Sequence, residues 1–396
     1  MLHLPQRAPA HQLRGVMELE VNGNGDRSGS GAPGVVSPGE RAPGDRSYGR
    51  RQGQNGGYGN SQRHRATYAA LDLGTNNCRL LIARPNREGF RIVDAFSRIV
   101  RLGEGLSRTG ALNGDAIERT LSALAVCRDK MEHRGVSRAR LIATEACRSA
   151  SNGQGFLQRV RNEVGIELEI VDRETEAHLA AAGCTVLADQ DAQSIVLFDI
   201  GGGSTEVVWL ARGRPGEPSL RKRMRHWTSL PLGVVTMAER FGGHDIDAQT
   251  FEDMVEFVAG ELQEFKACAA AETRCTRFHL LGTSGTVTTV AGVHLKLPRY
   301  DRRKVDGLWM SRSEVDDAMH CLRSMSYEER AANGCIGHER ADLVLAGCAI
   351  LEAIRRAFPA ERVRIADRGL REGILMQLMN TDRVWRDRSP RREEHR

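Results

Sequence analysis

The chain has 396 residues, 40% of them hydrophobic but only 5% aromatic, and a formal net charge of +6. Its nine cysteines are odd in number, scattered and free of any Cys-x-x-Cys pair, which argues against a disulfide framework or a zinc site and fits a reducing cytoplasm. No apolar run reaches about 18 residues and no signal-peptide core is visible, so a membrane class is set aside and a soluble, cytoplasmic protein is expected.

Residues 1–65 are rich in Gly, Pro, Ser, Arg and Gln without apolar periodicity, and read as a disordered tail. They hold nine Arg against five acidic residues, and residues 381–396, read as a second basic tail, hold six Arg against four. The central 66–380 is therefore close to neutral, and the positive balance belongs to the flanks. An Arg-rich flank can touch RNA or another polyanion, but a merely solvated low-complexity segment is the preferred reading.

Order is expected from Thr67. Tyr68–Leu73 and Cys78–Arg84 form a strand pair around a Gly-containing turn, and Phe90–Val100 continues the sheet. Ile117, Leu121, Leu124 and Met131 recur at helical spacing behind possible caps at Asn113 and Asp115, giving a helix to about His133. Arg140–Thr144 is a short buried strand, Phe156–Val164 a helix and Glu167–Val171 a strand. A further helix opens at Asp172-Arg-Glu-Thr-Glu-Ala177 and runs to about Ala188.

The second half repeats the plan. Ser194–Ile200 and Glu206–Leu210 flank another Gly turn, Leu220–Ser229 reads as a strand and Phe251–Ala269 as one long helix. Phe278–Leu281 runs into Gly282-Thr-Ser-Gly-Thr286 and a helix. Ser311-x-x-Glu314 and Ser326-x-x-Glu329 have the form of capping boxes. Glu339–Phe358 is a strong helix, Val363–Ala366 a strand and Leu370–Met379 the last helix. Two α/β domains with a cleft between them follow from this order, the boundary falling near Ala177–Asp189.

The most informative feature is a repeat. Leu71-Asp-Leu-Gly-Thr-Asn-Asn-Cys-Arg-Leu-Leu-Ile-Ala83 aligns without gaps on Phe198-Asp-Ile-Gly-Gly-Gly-Ser-Thr-Glu-Val-Val-Trp-Leu210, 127 positions later. Each copy is an apolar strand ending in Asp, a Gly turn with small polar residues, and a second apolar strand. Glycines let backbone N–H groups approach an anion as a concave nest, and the Asp lies where a hydrated cation would bridge to a phosphate. Two facing loops would hold a phosphate chain from both sides. Gly282–Thr286, at a helix N-terminus, is a third candidate anion site.

Asp72-Leu-Gly-Thr-Asn-Asn77, Arg101-Leu-Gly-Glu-Gly-Leu106, Asp199-Ile-Gly-Gly-Gly-Ser-Thr-Glu206, Pro231-Leu-Gly-Val-Val235, Gly282-Thr-Ser-Gly-Thr286 and Leu370-Arg-Glu-Gly-Ile374 together resemble the exopolyphosphatase/guanosine pentaphosphate phosphohydrolase (Ppx/GppA) family. The resemblance covers about residues 67–380, in order. It implies an α/β fold of two ribonuclease H-like domains of the actin, Hsp70 and sugar-kinase type with an interdomain cleft. Domain I is then 66–180, completed by the 370–380 helix, and domain II is 181–369. The chain resembles the short form, without the C-terminal domain related to His-Asp phosphohydrolases, and His244-Asp245 is read as coincidence.

The resemblance also implies roles. Thr144-Glu-Ala-Cys-Arg148 aligns with the segment that places an Arg at the cleft, so Arg148 would clamp a phosphate bidentately. Arg173-Glu-Thr-Glu-Ala177 aligns with the segment of the catalytic Glu, which gives that role to Glu176, with Glu174 as fallback. Phosphate would be held by Gly74, Thr75 and Asn76, by Gly201, Gly202, Gly203, Ser204 and Thr205, and by Gly282, Thr283, Ser284, Gly285 and Thr286. Asp199 and Glu206 lie at one end of a tight hairpin and are the first candidates for Mg²⁺, with Asp72 contributing through water. The substrates implied are inorganic polyphosphate or, second, guanosine pentaphosphate of the stringent response, and a homodimer is implied too. The basic runs Arg221–Arg225 and Arg299–Lys304 either line a channel for a longer polyanion or are surface charge. A kinase or chaperone-like ATPase, and a sensor that binds polyphosphate or an alarmone without turnover, are the competing classes.

Overall fold

The computed structural model describes residues 66–385 apart from 88, 190, 213–219 and 272–276. The expectations for residues 1–65 and 386–396 lie outside the described residues.

Two sheets carry the repeat. The first contains β1 (Tyr68–Leu73), β2 (Asn77–Asn86), β3 (Gly89–Ile99), β4 (Arg138–Ala143) and β5 (Glu169–Ile170), in the order β3-β2-β1-β4-β5. The second contains β6 (Ser194–Ile200), β7 (Thr205–Ala211), β8 (Met224–Leu230), β9 (Phe278–Thr283), β10 (Trp309–Ser311) and β11 (Arg362–Ala366), in the order β10-β11-β9-β6-β7-β8. In each, the first strand of the repeat pairs antiparallel with its hairpin partner and parallel with a later strand, β1 with β2 and β4, and β6 with β7 and β9. These central strands are buried on both faces, as their nearly continuous apolar runs require. Ala69, Leu71 and Leu73 enter one core while Tyr68 and Ala70 enter another.

Local signals set many helix starts. Asn113 caps the Gly114–His133 helix by accepting from the Asp115 N–H, and Asp172 caps Arg173–Cys184 by accepting from Thr175. Both capping boxes form reciprocally, Ser311 with Glu314 and Ser326 with Glu329. Three elements differ from the sequence reading. Leu220–Arg223 is a helical turn, and the strand begins only at Met224. The long helix divides into Ala248–Glu261 and Gln263–Cys268 at Leu262, a fully buried anchor across which the backbone bonds continue. The expected Glu339–Phe358 helix begins at Val344, because Asp342 and the Glu339 carbonyl are engaged by Arg101 from the other half of the chain.

The Leu370–Thr381 helix returns to the first sheet. Leu370, Ile374, Leu375 and Met379 pack with Tyr68, Ala70, Leu81 and Ala83. It crosses the Arg173–Cys184 helix where neither backbone leaves room for a side chain: a Cβ on Gly183 would lie 1.9 Å from the Gly369 oxygen, and one on Gly373 would lie 2.0 Å from the Leu179 oxygen. Packing does not stop at 380. Asp382 accepts from the Tyr68 hydroxyl at 2.8 Å and Val384 is buried in the same cluster, so the first five residues assigned to the basic tail are part of the folded body. Among the described residues no helix is long and apolar enough to cross a membrane.

Candidate active site

The two Gly turns close in the same way and then lock together. Gly74 donates its N–H to the Asn77 oxygen and Gly201 its N–H to the Ser204 oxygen, both at 2.9 Å, one bond repeated 127 positions apart. Those two amides, expected to face phosphate, are thereby used in closing the hairpins. The amides of Thr75, Asn76, Gly202, Gly203 and Ser204 donate to no acceptor among the described residues. A Cβ on Gly202 would stand 3.1 Å from the Asn76 nitrogen, and one on Gly203 would stand 2.6 Å from Thr75 Oγ1. The triple glycine is thus what lets the second loop seat on the first. Gly203→Ala should push the loops apart and lose most activity, and Thr75→Ala in the same chain should restore part of it, read as phosphate release and melting temperature.

Two further motifs brace the loops. Val100 and Arg101 donate to the Asn76 oxygen and Gly103 to the Thr75 oxygen, while Val234 and Val235 donate to the Gly201 and Gly202 oxygens. The Arg101–Leu106 and Pro231–Val235 segments therefore fix the carbonyl side of each turn and leave its amide side open.

Not every expected phosphate ligand faces the cleft. The Thr205 hydroxyl donates to the Leu232 carbonyl and is fully buried, and Thr283 Oγ1 donates to the Arg368 carbonyl. Gly282 is pressed on the Phe198 ring, and Thr286 packs against Gly347. Of the third loop, Ser284 and Gly285 remain. Ser284, at φ 82°, holds its hydroxyl beside Asp199 at the start of the Gly285–His294 helix. Strand alternation predicts these inward-facing hydroxyls poorly, because the chain turns out of the strand just there.

Four carboxylates converge at the loops. Asp199 registers opposite Glu206 across β6 and β7, whereas Asp72 registers opposite Arg79 across β1 and β2. The repeat is therefore electrostatically lopsided: Arg79 occupies the position that Glu206 occupies in the second copy. Burial and then the Asp72 charge push Asp199 up to about 6, with Arg79 and Ser284 opposing. Burial and then Asp199 push Glu206 up to about 7, against hydrogen bonds from Ser229 and Ser204. Glu176, in the first turn of the Arg173–Cys184 helix and 9% exposed, is pushed well above the usual carboxylate range by burial and then by Glu206, with Arg148 opposing. Asp72 is raised by burial and pulled back by Arg79 and Arg371.

These shifts carry a signed consequence. Groups raised in the folded state bind protons that the unfolded chain has lost, so their contribution to stability falls as pH rises from the unfolded values through about 7. The Glu206 shift, from 4.5 to about 7, is worth about 3 kcal/mol in metal-free buffer. Glu206→Gln should therefore raise the melting temperature at pH 8 and barely move it at pH 5. Equal changes at both pH values would refute this.

Arg148 stands at the centre of the acidic group. Its Nη1 and Nη2 each lie 3.2 Å from Glu176 Oε2, Nη1 donates to the Val171 carbonyl at 2.6 Å and Nη2 to Glu145 Oε2 at 2.5 Å. Among the described residues its buried Nε has no partner, and neither has Asn76 Oδ1 in the first loop. Both atoms lie where a ligand or an ordered water would satisfy them. Sequence reasoning missed Glu145, a lone acidic residue in a helix first turn, and the half-buried guanidinia of Arg79, Arg340 and Arg371, whereas Arg302 belongs to the basic run Arg299–Lys304. Arg302 bridges Glu372 at 2.9 Å and Asp367 at 3.4 Å. Arg79 was detectable only as the odd partner in the repeat.

Asp199 and Glu206, with Asp72, offer hard oxygen donors whose mutual repulsion suits a divalent cation. Among the described residues no three His, Cys, Asp or Glu side chains form a closed ligand set, so such an ion would take its remaining ligands from water and substrate.

A model of the Ppx/GppA phosphatase family matches residues 81–382. The chain is similar to a bifunctional 3-dehydroquinate synthase/phosphatase of Fusobacterium nucleatum, 27% identical over 325 residues, which are 78% of this chain and 46% of that protein. It thus spans less than half the length of this relative. It is also similar to a putative exopolyphosphatase of Haemophilus influenzae, 27% identical over 314 residues, 78% of this chain and 90% of the other. A solved Ppx/GppA family member from Aquifex aeolicus is 28% identical, with a TM-score of 0.65, covering 80% of this chain and 98% of its own.

Proposed function

Because this chain belongs to the Ppx/GppA phosphatase family and has its two-domain, actin-like α/β fold, we propose that it removes terminal phosphate from inorganic polyphosphate. The observation that carries the reading is the interlocked pair of Gly loops, amides open, beside the Glu176–Arg148 pair. The end of the phosphate chain would lie on the amides of Thr75, Asn76 and Gly202–Ser204. The Arg148 fork would bind equatorial oxygens, with Nε free to join. Glu176, enclosed and raised in pKa, would accept the proton of an attacking water in line with the leaving phosphate. Such a transition state is loose, so position and charge supply most of the acceleration. Asp199 and Glu206, with Asp72 through water, would hold Mg²⁺, which when bound neutralises charge on the phosphate chain. The Arg79, Arg302, Arg340 and Arg371 group suits phosphates further along.

The exopolyphosphatase name of the Haemophilus relative agrees with this choice. Guanosine pentaphosphate would be cut by the same residues at its 5′ end. Phosphate release with Mg²⁺ from long polyphosphate and from guanosine pentaphosphate, side by side, tests the reading. Faster release from polyphosphate is expected; release only from the nucleotide would reassign the substrate, and release from neither would remove the hydrolase.

A further inference from the structure

Glu145 is involved in none of the steps above, yet it is among the most enclosed charges at the cleft, with 9% of its side chain exposed. It begins the Glu145–Ser149 helix just after β4, with Thr144 between them. Its two oxygens are fully engaged. Oε2 accepts from Arg148 Nη2 at 2.5 Å and from Arg173 Nε at 3.3 Å, and Oε1 from Arg173 Nη2 at 3.0 Å and from Ser149. Its Cγ lies 3.3 Å from where a Gly203 side chain would begin. One carboxylate thus ties the Arg148 helix, the first residue of the Glu176 helix and the second Gly loop.

We propose that Glu145 is a positioning residue that holds the Arg148 guanidinium open toward substrate, against its tendency to close on Glu176. The geometry sets up a competition. Arg148 reaches Glu176 through both Nη atoms at 3.2 Å, a longer contact than its 2.5 Å bond to Glu145. Without Glu145 only the Val171 carbonyl, on Nη1, opposes the attraction of Glu176, and the freed Nη2 side would close on Glu176 as an ion pair. That pairing takes the fork from the phosphate and the lone pair from the base together. The alternating series Arg173, Glu145, Arg148, Glu176 keeps both ends of the pair available. A misplacement of about 1 Å in a catalytic group can cost about 100-fold in rate. A charge that served stability alone would show no such link to Arg148.

The proposal rests on the hydrolase reading, and a four-protein cycle separates the two: wild type, Glu145→Gln, Arg148→Ala and the double variant, each measured for kcat and for tripolyphosphate affinity. Glu145→Gln should lower kcat roughly 10- to 100-fold, while affinity holds or tightens because a negative charge has gone. In the Arg148→Ala background the same change should have almost no further effect on kcat. Wild-type kcat in Glu145→Gln, or a loss that multiplies in full with that of Arg148→Ala, would overturn the positioning role while leaving the hydrolase standing. Wild-type protein that binds tripolyphosphate but releases no phosphate from any substrate would overturn both. Should Glu145→Gln fail to fold, Glu145→Asp, which keeps the charge but withdraws it from Arg148, carries the same cycle with the same expectation for kcat and an unchanged tripolyphosphate affinity.

Discussion

Glu176→Gln is expected to lower phosphate release by about 10²- to 10⁴-fold while leaving polyphosphate affinity within a few-fold. The amide keeps the shape and one acceptor but cannot take a proton. The site argues for a base rather than a bystander. Glu176 is buried, sits at a helix start with its capping Asp172, and faces Glu206, Asp72 and Asp199 with Arg148 as its counter-charge. Activity of the wild type should rise with pH as the acidic group ionises. Because burial and mutual repulsion raise Asp199 and Glu206 beside Glu176, while a bound cation would lower them, that limb belongs to the set and not to one residue. The affinity measurement matters as much as the rate. A glutamine variant that turns over normally would move the base elsewhere, and one that no longer binds would make Glu176 a structural group.

Replacement of Arg148 is expected to be as severe, about 10³-fold in kcat for Arg148→Ala, in line with other arginines that stabilise phosphoryl-transfer transition states. Arg148→Lys should recover little, because an ammonium cannot present a planar fork to two phosphate oxygens. Alanine has a second effect that must be separated from the first. It leaves Glu176 buried without its cation while Glu145 keeps Arg173, at a stability cost of up to about 3–5 kcal/mol. The melting temperature of Arg148→Ala should therefore fall at pH 8 and recover as pH drops and Glu176 takes a proton. Lysine keeps the charge and should melt near wild type. Loss of activity in the lysine variant at wild-type stability isolates the geometric role; full activity there would reduce Arg148 to a counter-ion.

Much of this fold is carried by local features that hold wherever the chain goes. Asn113, Asp172, Ser311 and Ser326 cap the helices their spacing announces, since a cap needs only its own first turn. The apolar runs of β1 and β6, the Gly turns after them and their equivalence 127 residues apart are likewise properties of the sequence. So is the type of residue that chemistry on a phosphate chain requires. What each polar group faces is another matter. Gly74 and Gly201 have the right composition for anion binding, but their amides close the hairpins, and the hydroxyls of Thr205 and Thr283 are taken by carbonyls at 232 and 368. The triple glycine is required by a neighbour more than a hundred residues away. Glu145 becomes significant only when β4 sets it between Arg148 and Arg173. Hydrogen-bond partners and burial are relations between distant segments, and a pKa near 7 on Glu206 arises only where several carboxylates are enclosed together. Sequence determined the parts and their order; assembly decided which of them remain free to meet a ligand.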